Sequence, residues 1–310
     1  MERKNAIISG GAGFIGRHLS TRLLKEGFNK VIILDNLVRS HNLRNVAKHP
    51  QIEFIYGDVY SFDFSKFVNI THFFHLAATR INRCAKNNKE GHDYIASGGF
   101  NVVNYCAKNN IKLFFSSTAS VYNKPKIQPI KEESPCVPHT IYGAAKYYTE
   151  NLIRSYDNMV GLDYTINRFF SVYGVGMDCE GVYTEVIFNW LNNIKNKITD
   201  ITVFGDPNEK ILDLVYIDDV IDAIILTTFN SNKEVFNVST QNGVTLTGLI
   251  NTIENVTNTK LNIDIVPENR TDIENKRVGD TSKLKQLGWK DNINLTNGIK
   301  KTYDWITKME

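Results

Sequence analysis

Asn5-Ala6-Ile7-Ile8-Ser9-Gly10-Gly11-Ala12-Gly13-Phe14-Ile15-Gly16 is the stretch from which the fold is read. A short apolar run, Asn5 to Ser9, ends in glycines and opens into the helical pattern of Phe14 to Glu26. Glycines at such a junction let the backbone approach a pyrophosphate, whose charge is met by the helix N-terminus. Gly10, Gly13 and Gly16 follow a Gly-x-x-Gly-x-x-Gly spacing, one residue wider than the common dinucleotide fingerprint.

Similar apolar runs recur outward from that turn. Lys30 to Leu34, Ile52 to Tyr56, His72 to Leu76 and Lys112 to Ser116 read as strands two to five, and Asp163 to Phe169 as a sixth. Val31-Ile32-Ile33-Leu34 is apolar at every position, as expected of a parallel strand covered on both faces. Helical patterns lie between the strands, the clearest over Phe14 to Glu26, Cys84 to Asn109 and Ile141 to Tyr156. The alternation predicts an α/β fold, a Rossmann-type doubly wound parallel sheet. Past Phe169 the pattern loosens into a helix near Val182 to Lys195 and shorter pieces, which predicts a smaller mixed α/β lobe. Residues 1–170 are expected to form the dinucleotide-binding domain, and residues 171–310 mainly a substrate lobe with some segments returning to the first. Asp218-Asp219, Thr245 and Thr281-Ser282 are good capping residues and mark helix starts in that second part.

Composition excludes several classes of function. A chain of 310 residues with 42% hydrophobic content can bury a large core. Its net charge of +3 is small and its lysines are scattered, so no nucleic-acid partner is expected. No apolar run is long enough to span a bilayer. The charged opening Met1-Glu2-Arg3-Lys4 precedes an apolar stretch, but glycines interrupt it and no small-residue cleavage site follows. Cys84, Cys106, Cys136 and Cys179 form no Cys-x-x-Cys pair, so neither a metal site nor a disulfide framework is expected. Reduced thiols and a cytoplasmic location are the simpler expectation.

Chemistry enters with Tyr142 and Lys146, four residues apart in a helical pattern. That spacing puts an ammonium beside a phenol on one helix face, and a nearby cation favours the phenolate. Tyr142 thereby becomes a candidate general base and acid. Thr118 supplies a hydroxyl at the end of a strand upstream. Asp35, at the end of the second strand, can accept hydrogen bonds from the adenosine ribose and would repel a 2′-phosphate, which favours NAD over NADP. Arg39 lies close enough to soften that preference. Asp58 after the third strand can meet the adenine edge, and Leu76-Ala77-Ala78 offers small residues beside the cofactor.

Together these residues resemble the extended short-chain dehydrogenase/reductase family, in particular its NAD-dependent nucleotide-sugar epimerases and dehydratases of the UDP-glucose 4-epimerase kind. The likeness spans nearly the whole chain. Its further markers are Asp35-Asn36-Leu37, Gly57-Asp58, His75-Leu76-Ala77-Ala78, Ser116-Ser117-Thr118 and the run Arg168 to Gly174. The segment Asp213 to Asp219, Arg277 ahead of Asp280, and Leu287-Gly288-Trp289 complete them.

The resemblance implies a catalytic triad of Thr118, Tyr142 and Lys146. Tyr142 would take a proton from a sugar hydroxyl, Thr118 would hold the same oxygen, and Lys146 would also bind the nicotinamide ribose. It implies that NAD is held by Gly10, Gly13, Phe14, Ile15, Gly16, Asp35, Asn36, Asp58, Val59, Leu76, Ala77, Ala78, Ser116, Tyr142, Lys146 and Phe169. A nucleoside-diphosphate sugar would be bound by Thr118, Ser171, Val186, Phe204 and Arg277. Gly176-Met177-Asp178 and Gly181 to Glu185 would form a substrate loop. A homodimer is implied, built on the helices around Cys84 to Asn109 and Ile141 to Tyr156, as is a place in nucleotide-sugar metabolism feeding polysaccharide biosynthesis.

Ala119 and Ser120 decide among reactions. Relatives that eliminate water carry an Asp-Glu pair there, and relatives that decarboxylate a uronic acid carry a Glu near this point; this chain has neither. Epimerisation, most plausibly at C4, therefore leads over a 4,6-dehydratase. A nucleotide-sugar 4-keto reductase is the alternative, against which Asp35 argues. A non-catalytic NAD-binding protein is a minor reading, set against the retained Tyr142 and Lys146. Asn123, Ser171, Leu212 and Ile95 depart from the usual family residues; loss of an Arg at Leu212 would shift a phosphate contact toward Arg277.

Overall fold

The computed structural model describes residues 4–38, 48–122, 125, 127–177, 185–268 and 276–308. In chain order its elements begin with β1 Asn5–Ser9, α1 Phe14–Lys25, β2 Lys30–Asp35, β3 Ile52–Tyr56 and β4 His72–His75. There follow α2 Ile81–Lys86, α3 Asn88–Gly91, α4 Gly98–Lys108, β5 Lys112–Thr118, α5 Ile141–Val160, β6 Tyr164–Phe169 and β7 Ser171–Tyr173. The rest are α6 Glu185–Lys195, β8 Asp200–Phe204, β9 Ile211–Tyr216, α7 Ile217–Asn230, β10 Glu234–Val238, β11 Gly243–Thr245 and α8 Leu246–Thr257, then β12 Asn262–Val266, β13 Lys276–Arg277, α9 Ser282–Gln286 and α10 Leu295–Thr307.

Two compact units make up the chain: Met1–Tyr122, Cys136–Arg168 and Ile221–Phe236 form one, and Asn123–Pro135, Phe169–Val220 and Asn237–Glu310 the other.

The first unit is organised by a seven-stranded sheet in the order β10-β6-β5-β4-β1-β2-β3. Chain direction across the sheet reverses at β1, which pairs in parallel with β2 on one side and β4 on the other. Ser9 is level with both Leu34 and His75, so three strand ends open together at the switch point, where ligands of doubly wound sheets bind. Alternate residues of each strand face opposite layers. Ile7, Phe73, Leu113 and Phe115 pack with Val102, Val103 and Cys106 of α4 and Ile153 of α5. On the other face Phe74 meets the rings of Phe28 and Phe114, and Phe28 meets Phe229 of α7. Burial on both faces explains the continuous apolar centres of these strands, Ala6–Ile8, Phe73–Phe74 and Leu113–Phe115.

The helix expected over Cys84 to Asn109 is interrupted. Asn87 is extended, with φ −138° and ψ 92°, and separates α2 from α3. A π-helical turn, His92–Ser97, then leads into α4. In the π-turn the carbonyl of Ile95 accepts from Thr149 Oγ1 of α5 at 3.4 Å. An added Cβ on Gly99 would come within 2.5 Å of that same Thr149 Oγ1, so α4 lies close against α5. Hydrophobic period cannot register such a change in hydrogen-bond step. Elsewhere, strand and helix predictions in the first unit differ from the structure by a few residues at element ends: β5 runs on to Thr118 and α5 to Val160, where Gly161 in the left-handed region caps it.

The second unit carries a four-stranded sheet, β11-β9-β13 with β7 also on β9, and a two-stranded pair, β12-β8. Buried Asp213 of β9 accepts from Thr240 N at 2.7 Å, Thr240 Oγ1 at 2.8 Å and Gly279 N at 3.1 Å, tying three chain segments together. Helix starts fall where the sequence places them: Asp218 and Asp219 in the first turn of α7, and Thr245 Oγ1 accepting from Gly248 N at 3.0 Å to cap α8.

Candidate active site

Helix α5 begins where it does because Thr140 caps it, its hydroxyl accepting from Gly143 N at 3.1 Å. A Cβ on Gly143 would stand 2.5 Å from the Ser120 carbonyl oxygen, so glycine lets the first turn of the helix sit on the turn after β5. That close approach brings Lys146 to the C-terminal end of β5. Lys146 is 2% exposed; its Nζ donates to Ser116 O at 2.7 Å and lies 4.9 Å over the Phe115 ring. Burial brings its pKa down from 10.5 to about 7. Half-buried Tyr142 packs on the cluster of Cys84, Ile95 and Ala145. Thr118 closes β5, and its Oγ1 accepts from Ser120 N at 3.1 Å, which leaves its own O–H to donate.

The residues expected to hold a dinucleotide gather at neighbouring strand ends. Gly10 has φ +73°, and a Cβ there would lie 2.7 Å from Ala77 N; one on Gly16 would lie 2.5 Å from Gly10 O. Glycine is thus required for the first turn to fold against the loop after β4. Gly13 caps α1 without a side-chain bond, and no acidic residue stands in the first turn, so the helix itself puts no anion against the N–H groups over Phe14 to Gly16. Asp35 is held by Ala12 N at 3.0 Å and Leu37 N at 2.8 Å, which fixes its carboxylate beside that turn. Asn36 Nδ2 donates to Asp58 Oδ1. Val59 is buried, and its carbonyl accepts from Asn101 Nδ2 at 2.9 Å. Leu76 N donates to Ser9 O at 3.0 Å, Ala77 and Ala78 follow it, and Ser116 Oγ donates to His75 O at 3.1 Å. Phe169 is the buried last residue of β6. An anion-ready helix start, a fixed carboxylate at the next strand end and a buried ammonium with a donor to spare fit NAD.

Of the expected substrate residues, Thr118 belongs to the first unit and Ser171, Val186, Phe204 and Arg277 to the second. Ser171 on β7 and Arg277 on β13 both pair with β9, level with Leu214 and Leu212 respectively. Arg277 therefore stands directly beside the leucine whose position lacks an arginine. Val186 is half-buried on α6, and Phe204, 41% exposed, ends β8. Just beyond it an open surface depression of about 520 Å³ is lined by Gly205, Asp206 and Asn208 with Ile265 and Pro267. Arg39, Asn123, Cys179 and the loop over Asp178 to Thr184 lie outside the described residues.

Sequence reading missed the polar network beneath the pair. Ser9 Oγ and His75 Nδ1 are 2.7 Å apart, and burial followed by Lys146 brings His75 down to about 3, so the ring is neutral. Glu150, one turn past Lys146, accepts from Ser117 Oγ at 2.5 Å and pairs with Arg168 at 2.6 Å. Its i, i+4 spacing from Lys146 is visible in the sequence; its burial is not.

A doubly wound sheet with a glycine turn at its switch point and a Tyr-Lys helix face across the strand ends defines an extended short-chain dehydrogenase/reductase. The family model described as NAD dependent epimerase/dehydratase family matches residues 6–239, and the chain belongs to that family, with NAD as its cofactor. It is 30% identical over 307 residues to a putative UDP-glucose 4-epimerase of Methanocaldococcus jannaschii, with 97% of each chain covered. Among solved structures, a UDP-glucose 4-epimerase of Thermotoga maritima with UDP-glucose matches at TM-score 0.91 and 28% identity, covering 98% of this chain and 99% of that one. A UDP-N-acetylglucosamine 4-epimerase of Methanobrevibacter ruminantium in complex with UDP-N-acetylmuramic acid matches at TM-score 0.92 and 28% identity over all of both chains.

Proposed function

We propose that the chain is an NAD-dependent epimerase of a nucleoside-diphosphate sugar, acting at C4, with UDP as the nucleotide. The observation that carries this reading is the buried Lys146, bonded to Ser116 O at 2.7 Å on the face that also holds Tyr142, with Ala119 and Ser120 rather than carboxylates after Thr118.

Tyr142 accepts the proton of the sugar 4-hydroxyl, and Thr118 donates a hydrogen bond to the same oxygen as it becomes a carbonyl. Lys146 favours the phenolate of Tyr142 and offers its remaining N–H group to the nicotinamide ribose. When bound, NAD would supply a reversible hydride acceptor for C4 of the sugar, so that the configuration there could invert. Tyr142 then gives its proton back to the new hydroxyl. Residues 1–170 serve mainly the cofactor, and residues 171–310 mainly the sugar nucleotide, with Arg277 on the diphosphate and Phe204 toward the base. Exposed Phe100 on α4 and Tyr148 on α5 support a homodimer built on these helices. Among the described residues Cys84, Cys106 and Cys136 form no disulfide, in keeping with a reducing cytoplasm, where the product would enter polysaccharide biosynthesis. Among the described residues no helix is long and apolar enough to cross a membrane.

The test is incubation of the purified protein with UDP-, GDP-, CDP- and dTDP-sugars without added cofactor, followed by proton NMR and mass. A new anomeric signal at unchanged mass with a UDP-sugar is expected. Loss of water or of carbon dioxide would replace this reading by a dehydratase or decarboxylase, and turnover only with added reduced cofactor by a reductase.

A further inference from the structure

Glu150 lies on the same face of α5 as Tyr142 and Lys146, and it is fully buried. Its Oε1 accepts from Ser117 Oγ at 2.5 Å and Arg168 Nε at 2.9 Å; its Oε2 accepts from Arg168 Nη2 at 2.6 Å and Arg154 Nη2 at 3.0 Å. Arg168 Nη1 donates to Tyr122 Oη at 2.7 Å, and the guanidinium lies 4.7 Å over the Tyr122 ring. One carboxylate thus joins the end of β5, β6, α5 and the turn after Thr118. Buried ion pairs add little net stability, because desolvation offsets their attraction. Location explains this one better: Ser117 stands between Ser116, whose carbonyl receives Lys146, and Thr118.

We propose that Glu150 is a positioning residue for the Tyr142–Lys146 pair, clamping the end of β5 to α5 through Ser117 and sustaining the Lys146 ammonium with its buried negative charge. The proposal rests on the epimerase reading only in taking Tyr142 and Lys146 as the proton-transfer pair.

The other groups facing Lys146 carry no charge at neutral pH. His75 from β4 is held near 3, and burial with Glu90 pushes the Cys84 thiol of α2 up to about 11. Burial opposes the ionised form of Glu150, but Arg168 outweighs it and keeps the carboxyl below its usual range. Cys136 also borders this network, with its thiol raised by burial. Glu150 is therefore the anion acting on Lys146 among the described residues.

Tyr142 and Lys146 share a working proton and titrate as a pair with two macroscopic values. Removing a neighbouring negative charge lowers both. The experiment titrates tyrosinate absorbance of the purified holoenzyme against a Tyr142→Phe reference, beside the pH profile of kcat, in wild type, Glu150→Gln and Glu150→Asp. In Glu150→Gln the Tyr142 transition and both limbs of the profile are expected about one pH unit lower, and Glu150→Asp restores them. Transitions unchanged in folded Glu150→Gln would overturn the proposal, since loss of a purely structural partner lowers Tm without moving them. If Glu150→Gln does not fold, Glu150→Gln with Arg168→Gln leaves no buried guanidinium unpaired, since Arg154 is part-exposed, and is expected to move in the same direction. Ser117→Ala keeps every charge; kcat about tenfold lower at unchanged KM supports the clamp, and unchanged kcat removes it. A wild type that epimerises nothing would sink the functional reading, while the tyrosinate titration would still decide the role of Glu150.

Discussion

Lys146 Nζ donates to the carbonyl oxygen of Ser116 at 2.7 Å, across the gap between α5 and the end of β5. A longer contact runs to Ser116 Oγ at 3.5 Å, so both bonds tie the ammonium to the same strand residue and one of its three donors is left over. Helix and strand must be in register for the pair to work, and the predictions below probe that register and its surroundings.

Tyr142→Phe removes the hydroxyl proposed to carry the proton and little else, because the ring still packs on Cys84, Ile95 and Ala145. It is expected to lower kcat about a hundredfold to ten-thousandfold with bound NAD retained. Steady-state kinetics, with NAD content read after acid release, checks both halves.

Lys146 links stability to pH. Below about pH 7 the folded and unfolded chains both carry the ammonium, and its burial destabilises the fold in full. Between about 7 and 10.5 the unfolded chain alone holds the proton, so this group's contribution improves by up to about 1.4 kcal/mol per pH unit as pH rises. Lys146→Met is expected to exceed wild type in stability most at about pH 6, with the gap narrowing by about pH 9. Urea unfolding of the NAD-free proteins measures it, and a gap independent of pH would contradict the buried-ammonium account.

Gly16→Ala places a methyl 2.5 Å from Gly10 O and from Gly11 Cα, both backbone atoms that cannot swing aside. A loss of about 1–3 kcal/mol is expected, with NAD retention falling in parallel. Unfolding midpoints and cofactor content after gel filtration give the two readings.

Arg277→Met removes the cation level with Leu212 while keeping an apolar stem on β13. A charge-assisted bond to a diphosphate contributes about 1.5–3 kcal/mol, so KM is expected to rise roughly tenfold to a hundredfold with kcat little changed. An unaltered KM would take Arg277 out of the substrate site.

What could be read from the sequence was local. Continuous apolar runs announced strands buried on two faces, the glycine turn announced the switch point, and the i, i+4 spacing of Tyr142 and Lys146 announced a shared helix face. Each depends on residues within a few positions of one another, where backbone geometry leaves few options. The break at Asn87 and the π-turn over His92–Ser97 depend instead on α5, which offers the Thr149 hydroxyl to Ile95 O and presses on Gly99.

The sequence by itself thus determined six strands of the first sheet, the family and the identity of the candidate acid–base pair. Only the tertiary structure decided that β10 joins the sheet beside β6, that Arg277 stands level with Leu212, and that Glu150 and Arg168, eighteen residues apart, share one buried bond network under Lys146. Charge, burial and register of that kind arise between elements distant in the chain. Local propensity carries no information about them, because the desolvation that sets their energies exists only once the elements have packed.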